Sequence, residues 1–264
     1  MLKAGIFLDM DNLSRCGGYA LQFRQVRALV EGQGGMVLRA NAYMAINSER
    51  ESVDMEYQQR REEYRTRLRR EGYHLVLKEV KQYRDPEGQV IIKANADLEL
   101  AIDALLQSAN LDYVLLGSGD GDFVRLVRAL QNRGKRVDLL SFMNTSRELR
   151  QEVDNHFSGY LVPGILPDVR GPDRRVRGIL HMVNEEKGFG FLTVRTGMEL
   201  DSVREDVFLH ISDLQTAKGG PVNNALFAQF KTRGTTIEFE LEEENGRAKA
   251  VKAVEFRPEL WGTS

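Results

Sequence analysis

Apolar and polar positions alternate in one regular pattern over the first 160 or so residues of the chain. Short apolar runs typical of strands alternate there with segments of helical periodicity. The predicted strands are residues 4–8, 37–46, 73–80, 113–116 and 137–140, and the predicted helices are residues 21–30, 56–70, 97–107 and 123–132. This alternation predicts an α/β fold with a mostly parallel sheet and helices on both faces. The polar segment at 81–88, KQYRDPEG, predicts a turn or exposed loop.

A different pattern begins near residue 176, where five short β-like segments follow one another without intervening helical patterns. They lie at residues 176–183, 190–194, 206–211, 235–241 and 248–256 and predict a small five-stranded β-barrel. The stretch PGILPDVRGP before them holds three of the six prolines, which favours an extended linker. We therefore predict a first domain at 1–162, a linker at 163–174 and a second domain at 175–258.

Composition narrows the class of protein. The chain has 264 residues, 42% of them hydrophobic and 29% charged, and contains no apolar run near the roughly 20 residues that span a bilayer. Its start, MLKAGIFLDMDN, lacks the cleavage site of a signal peptide, so we expect a cytoplasmic protein without membrane association. Cys16 is the only cysteine, which excludes an internal disulfide and a multi-cysteine zinc site. Any metal chemistry would therefore use oxygen ligands.

The net charge of −2 means that local patches must carry any binding of nucleic acid. Residues 56–70 contain six arginines and three glutamates in a helical pattern. This segment fits a solvated helix laced with ion pairs, and it also fits an RNA-contacting face in which Arg60 and Arg61 take part.

Aspartates follow several of the predicted strands. Asp9 and Asp11 come after the first strand, Asp120 and Asp122 follow another in LLGSGDGDF, and Asp97 opens a helix. The carboxyl ends of parallel strands meet at one edge of the sheet, so these connections can converge. Clustered carboxylates suit Mg²⁺ or Mn²⁺, and such a site can hydrolyse a phosphodiester without a covalent nucleophile.

Each aspartate also has a structural interpretation as an Asx turn or a helix cap. Asn12 and Ser118 would act as polar positioning groups around a shared site. Asp103 lies six residues after Asp97 and so on another face of the helix, where a salt bridge or cap contact competes with metal ligation.

Three motifs together, FLDMDN, KANADLELAIDAL and LLGSGDGDF, make residues 3–160 resemble the NYN domains, relatives of the PIN nucleases that include a LabA-like bacterial branch. The resemblance implies metal-dependent cleavage of RNA. By motif, the implied metal ligands are Asp9, Asp97, Asp120 and Asp122, with Asn12 as the characteristic asparagine and Lys93 as a family-like lysine. The sequence departs from the family at Ala96, where a larger apolar residue is common.

The segments KGFGFLTV and DVFLHIS interleave aromatic with small or basic residues at strand period. This spacing can display Phe189, Phe191, Phe208 and His210 on one surface beside Lys187, where the rings would stack on bases. The alternative is that the phenylalanines form the barrel core.

Both segments, in order, make residues 176–256 resemble a cold-shock domain, a barrel of the oligonucleotide-binding (OB) type. Met182 and Val183 stand where that family usually has an aromatic pair, and Ile211 replaces another aromatic residue. Residues 172–264 carry thirteen Lys and Arg against fifteen Asp and Glu. We therefore expect modest affinity for single-stranded RNA.

Three functions fit the sequence. The first is a metal-dependent ribonuclease whose second domain holds single-stranded RNA. The second is a noncatalytic RNA-binding regulator. The third, which fits the motif spacing least well, is a phosphatase resembling the haloacid dehalogenases, with Asp9 as nucleophile and Asp11 as general acid. The RNA target, the endo- or exonucleolytic mode, the number of metals and assembly into a homo-oligomer stay open.

Overall fold

The computed structural model describes residues 1–84, 90–93, 96–167, 175–244 and 246–258, of which 81–84, 90–93 and 244 are described by their backbone alone. The chain divides into two compact units, one formed by Met1–Phe157 and the other beginning at Ser158. The predicted linker at 163–174 lies outside the described residues from 168 onwards, so its extended form stays a prediction. No helix of the described part is long and apolar enough to span a bilayer.

The first unit is built on a six-stranded sheet in the order β3-β2-β1-β6-β7-β8. Its strands are β1 (Leu2–Asp9), β2 (Gly35–Ile46), β3 (His74–Glu79), β6 (Tyr113–Gly117), β7 (Arg136–Ser141) and β8 (Asn155–Ser158). The pairs β1–β2, β2–β3, β1–β6 and β6–β7 are all parallel. Strand β1 therefore lies in the middle of the sheet, which is why its sequence reads as a continuous apolar run.

Helices connect these strands. They are α1 (Met10–Leu13), α2 (Phe23–Gly32), α3 (Ser48–Val53), α4 (Met55–Arg70), α5 (Asp97–Gln107), α6 (Val124–Gln131) and α7 (Arg147–Glu152). Buried apolar side chains of α5 and α6 pack with those of the central strands in one core that includes Phe7, Leu100 and Val127. The predicted α/β class with a mostly parallel sheet is confirmed.

The interpretation of residues 81–88 as a turn or loop was wrong for its first half. Strand β4 (Lys81–Arg84) pairs antiparallel with β5 (Val90–Lys93) in a two-stranded sheet of its own. Polar residues are tolerated in such a strand because a small separate ribbon does not have to be buried on both faces. The remaining residues of that prediction, 85–88, lie outside the described part of the chain.

The second unit is a closed β-barrel. Its strands are β9 (Arg175–Asn184), β10 (Phe189–Arg195), β11 (Val203–His210), β12 (Leu214–Gln215), β13 (Thr236–Glu244) and β14 (Arg247–Glu255). The sheet order is β11-β10-β9-β13-β14-β12, and a further pairing of β11 with β14 closes a ring of five strands. The predicted five-stranded barrel of the OB type is confirmed.

One helix of the second unit escaped prediction. It is α8 (Asn224–Arg233), and its Phe227 and Phe230 are buried in the barrel core. The Asn223 side chain accepts a hydrogen bond from Leu226 N, and Gly234 ends the helix in the left-handed conformation with φ of 62°. Asparagine before and glycine after a helix are start and stop signals that could have identified it from the sequence.

A histidine on β8 links this strand to the end of β7. The His156 ring Nε2 lies 2.8 Å from the Ser141 hydroxyl oxygen, which also accepts a hydrogen bond from Thr145. Burial, with a smaller contribution from the charge of Arg150, lowers the pKa of His156 from 6.5 to about 4. The folded protein therefore contains the neutral imidazole over most of the physiological range.

We predict that His156 makes the first unit less stable in mild acid. The unfolded chain takes up a proton near pH 6.5 and the folded chain only near pH 4, so stability is complete above about pH 6.5 and falls between these values. The loss by pH 5 should be about 1–2 kcal/mol. Denaturant unfolding at pH 7 and pH 5 should show this loss in wild type and a smaller one in His156→Gln.

The control is His74→Gln, which changes an exposed histidine of the same unit. It should keep the full acid sensitivity of wild type. Identical pH dependence in His156→Gln and wild type would contradict the role of His156.

Candidate active site

The carboxylate of Asp9 lies at the carboxyl end of β1 and is 7% exposed. One oxygen, Oδ1, accepts a hydrogen bond of 3.0 Å from Asn12 N and so caps α1. The other, Oδ2, accepts a hydrogen bond of 3.0 Å from the Ser118 hydroxyl. The expected Asx-type cap is therefore present, and it fixes the orientation of a buried carboxylate at the edge of the sheet.

The loop after β6 is tied to the start of α1. The buried Ser118 hydroxyl, besides donating to Asp9, accepts a hydrogen bond of 3.2 Å from Asp120 N. The Asn12 side-chain oxygen accepts one of 2.8 Å from Gly119 N. These contacts give Asn12 and Ser118 the positioning geometry expected of them, because they join two connections more than 100 residues apart in sequence.

Gly119 lies where the loop passes close to other main chain. A Cβ atom there would stand 3.2 Å from Thr145 Cα, and the Gly119 carbonyl accepts a hydrogen bond of 2.8 Å from Ser146 N. A larger residue would displace the loop that positions Ser118 and Asp120. Gly119 thus serves close packing of the backbone.

Asp97 is the first residue of α5 and lies near enough to Asp9 for their charges to interact. The pKa of Asp9 is raised to about 6, chiefly by burial and also by the charges of Asp97 and Asp11, against the hydrogen bonds from Asn12 and Ser118. The charges of Asp9 and Asp120 both act on the nearby Cys16 thiol, whose pKa is raised chiefly by burial. The three strand connections singled out in the sequence are therefore neighbours.

Asp120 and Asp122 differ in their surroundings. Asp120 is half-buried, and its Oδ1 accepts a hydrogen bond of 3.0 Å from Asp122 N, which caps a short 3₁₀ turn. Asp122 is exposed. Asp120 thus both caps the 3₁₀ turn and belongs to the acidic group. Asp122 lies farther out in solvent than Asp120.

Two further aspartates have partners of their own. The Asp11 carboxylate accepts a hydrogen bond of 2.8 Å from Ala45 N of β2. The Asp103 carboxylate accepts one of 3.0 Å from the Tyr43 hydroxyl. Among the described residues Asp103 forms neither the salt bridge nor the cap contact that the sequence suggested, and the side chain of Lys93 lies outside the described part.

Within the described ranges, no three Asp, Glu, His or Cys side chains are grouped closely enough to hold a metal ion between them. A ligand set of four aspartates stays a prediction. Mg²⁺ needs fewer protein ligands, because it is usually bound by one or two carboxylates together with waters and substrate phosphates. The carboxylates of Asp9 and Asp97, both oxygen donors near one edge of the sheet, meet that requirement.

Among the described residues, three of the six arginines of α4 form ion pairs, so the ion-pair interpretation holds for half of them. Arg60 lies 3.8 Å from Glu56, Arg65 contacts Glu51 and Glu62, and Arg69 contacts Glu62. Arg61 differs, since its Nη2 donates a hydrogen bond of 3.1 Å to the Ala45 carbonyl at the end of β2. Arg61 and Asp11 thus both contact the main chain of Ala45, at the end of β2.

Three phenylalanines cluster on the outer face of the barrel. The rings of Phe189, Phe191 and Phe208 have centroids 5.6–6.1 Å apart, and all three are half-buried. Their inward-facing neighbours on the same strands, such as Leu192 and Leu209, form the core. The alternative that these phenylalanines belong to the barrel core was therefore wrong.

Other candidate residues lie around this aromatic cluster. His210 is paired with Phe189 in the strand register, and Met182, 39% exposed, is paired with Phe191. The His210 ring Nδ1 lies 2.7 Å from the Ser212 hydroxyl, and Lys187 is exposed in the turn between β9 and β10. Met182 thus extends the apolar face where the cold-shock pattern has an aromatic ring.

We predict that Phe189→Ala combined with Phe208→Ala weakens binding of single-stranded RNA without unfolding the barrel. Loss of stacking should cost about 1–3 kcal/mol per base, which is roughly fivefold to 150-fold in affinity. Fluorescence anisotropy with a labelled oligonucleotide gives the affinity, and circular dichroism reports the fold.

The contrasting variant is Phe239→Ala, which removes a fully buried ring of the same barrel. It should destabilise the barrel by about 3–5 kcal/mol. Unchanged RNA affinity in the double variant would rule out the aromatic cluster as a stacking surface.

The comparisons with known proteins agree with this architecture. Residues 3–161 match the family described as the NYN domain, and residues 176–256 match the "cold-shock" DNA-binding domain. The low amplitude and bright protein LabA of Synechococcus elongatus is 31% identical over 88 residues, which are 32% of this chain and 47% of that protein. The chain thus spans about half the length of this curated relative.

A solved structure of a protein of unknown function from Vibrio parahaemolyticus is similar to 59% of this chain and 91% of its own, with 28% identity and a TM-score of 0.48. Both resemblances drawn from the sequence motifs are confirmed by the family matches. This chain belongs to the NYN domain family and carries a domain of the cold-shock type after its NYN domain.

Proposed function

We propose that this protein is a metal-dependent ribonuclease that hydrolyses RNA at the acidic edge of its NYN domain. The observation that carries the proposal is the buried carboxylate of Asp9, held by Asn12 N and Ser118 beside the charge of Asp97. Acidic neighbours make the ionisation of a buried aspartate unfavourable and do not help a purely structural role. A cluster of carboxylates of this kind suits a site that binds a cation. The NYN family is one of nucleases, which agrees with this chemistry.

The residues present fit Mg²⁺ or Mn²⁺. Asp9 and Asp97 would hold the ion, Asp120 is a further candidate because its charge and that of Asp9 both act on Cys16, and Asp122 is the least favoured ligand because it is exposed. When bound, the ion would neutralise the carboxylates and supply the Lewis acidity that activates water and stabilises charge on the phosphate.

The groups that donate hydrogen bonds to Asp9 orient its carboxylate. The Ser118 hydroxyl and Asn12 N use one lone pair on each carboxylate oxygen and leave others free for a ligand. Because Asn12 also accepts from Gly119 N, its side chain fixes the loop that carries Asp120 relative to α1. This cross-linking sets the positions of both carboxylates before substrate arrives.

The barrel would hold single-stranded RNA on Phe189, Phe191 and Phe208. Three half-buried rings on adjacent strands offer bases a stacking surface that is tolerant of sequence. Because both domains belong to one chain, even weak binding by the barrel raises the concentration of RNA available to the NYN domain.

We predict that Asp9→Asn and Asp120→Asn each lower cleavage of labelled single-stranded RNA by at least about a hundredfold, since each removes a charge that the metal site requires. The measurement is gel-resolved cleavage of single-stranded RNA, duplex RNA and DNA with Mg²⁺, Mn²⁺ or EDTA. Wild type should cut single-stranded RNA only when a divalent ion is present.

The matched control is Asp112→Asn, which makes the same change at the opposite end of β6, where Asp112 accepts a hydrogen bond from Lys3 N. It should keep wild-type activity. Cleavage by the Asp9 variant at the wild-type rate would refute the site. RNA binding without cleavage under any condition would identify a noncatalytic regulator, and hydrolysis of a small phosphomonoester through an aspartyl phosphate would identify a phosphatase.

We also predict that Mg²⁺ or Mn²⁺ stabilises the RNA-free protein. Binding to the folded state alone raises stability by about 2.7 kcal/mol when the ion is present at 100 times its Kd. Differential scanning fluorimetry should show a higher Tm for wild type in Mn²⁺ than in EDTA and no such increase for Asp9→Asn. Equal increases in both proteins would place the ion elsewhere.

A further inference from the structure

A cleft of about 320 Å³ lies in the first unit beside the start of α1. Its lining includes Arg15, Tyr19, Arg61, Tyr64 and Asp11. We call it the tyrosine–arginine cleft. Asp11 lies two residues beyond Asp9, and Ala45 of the lining belongs to the end of β2. The cleft is therefore at the same edge of the sheet as the candidate active site.

The cleft is built by an irregular turn after α1. Residues Ser14–Gly18 form a kinked turn in which Gly17 has φ of 94°, a conformation that favours glycine. A Cβ atom on Gly18 would stand 2.5 Å from the Phe142 ring, so this position also has no room for a side chain. The turn brings Tyr19 against Tyr64 of α4, with parallel rings whose centroids are 6.0 Å apart.

The arginines of the cleft have donors to spare. Arg61 donates from Nη2 to the Ala45 carbonyl, while its buried Nε has no hydrogen-bond partner within the described ranges. The exposed Arg15 donates from Nε to the main-chain carbonyl of Asp11. Among described residues neither arginine forms an ion pair. Arg65 and Arg69, which lie on α4 together with Arg61, do form ion pairs.

The charge of the lining favours an anion. Two guanidinium groups face one carboxylate, that of Asp11, which accepts its hydrogen bond from Ala45 N. Guanidinium groups with free donors bind phosphate through charge-assisted hydrogen bonds, and tyrosine rings stack on bases. Both parts of a nucleotide therefore have complementary groups within one cleft.

We propose that the tyrosine–arginine cleft binds one unpaired nucleotide of the RNA strand next to the bond that is cut, with its phosphate on Arg15 and Arg61 and its base against Tyr19 and Tyr64. This inference rests on the proposed ribonuclease function and adds a substrate requirement to it. A base in a duplex is covered by its neighbours and cannot stack in the cleft, so the NYN domain itself selects single strands.

The test measures RNA binding without cleavage. The full chain, carrying Phe189→Ala, Phe191→Ala and Phe208→Ala to suppress the barrel, is titrated in EDTA against a labelled ten-nucleotide oligouridine at several salt concentrations. In this background Arg15→Gln and Arg61→Gln should each weaken binding at least about fivefold, and the double variant should reduce the log–log salt slope by about 0.7, which corresponds to the one phosphate that both arginines contact. Tyr19→Ala should weaken binding by about fivefold to 150-fold with an unchanged slope.

The matched control is Arg69→Gln, which removes the same charge from α4 at an arginine already paired with Glu62. Its affinity should equal that of the parent. Arg15 is exposed, so its variant tests the cleft even if Tyr19→Ala or Arg61→Gln fails to fold. Crosslinking of a 4-thiouridine oligonucleotide to Tyr19 or Tyr64 in the otherwise unaltered chain would support the cleft independently.

Equal losses for Arg69→Gln and the two cleft arginines would overturn the proposal, because general surface charge would then explain binding. Competition by duplex RNA as strong as that by single strands would also overturn it. If wild type cleaves RNA while the cleft variants bind normally, the cleft inference alone fails. If wild type cleaves nothing while the cleft variants lose affinity, the proposed ribonuclease function fails and the cleft stands as a nucleotide site.

Discussion

The buried carboxylate of Asp9 is the constraint on which the candidate site depends. It ends the central strand β1, caps α1 through Asn12 N and accepts from Ser118 after β6, so one side chain joins three elements. Such a group is costly to bury, and hydrogen bonds compensate only part of that cost. The pKa of Asp9 is consequently raised to about 6, and a bound cation would relieve the remaining unfavourable charge.

Charge around this edge of the sheet is divided between two neighbouring surfaces. The acidic group at Asp9, Asp97 and Asp120 is suited to a cation, whereas the tyrosine–arginine cleft is suited to phosphate and base. Arg65 and Arg69 of α4 are instead paired with Glu51 and Glu62. The cleft thus places two guanidinium groups beside the acidic site, although the whole chain carries a net charge of −2.

Most strand positions in both units followed from the apolar pattern because burial imposes it directly, whereas the short strands β8 and β12 were not predicted. A central parallel strand must be apolar throughout, as in β1, and a barrel strand must alternate, as in β10. The β4–β5 ribbon and α8 were missed for opposite reasons. The sequence of β4, KQYR, has no apolar periodicity that would indicate a strand, and α8 is short and has its start and stop signals in the residues that flank it.

The sequence alone determined which residues could reach one edge of the sheet, because the motifs place Asp9, Asp97 and Asp120 after strands or at a helix start. It also determined both domain families. Tertiary structure decided which polar groups are already engaged, such as Asp11 with Ala45 N and Asp103 with Tyr43. It also decided that Tyr19 and Tyr64 stack beside Arg61, since contacts between residues distant in sequence depend on how elements pack, which local periodicity does not encode.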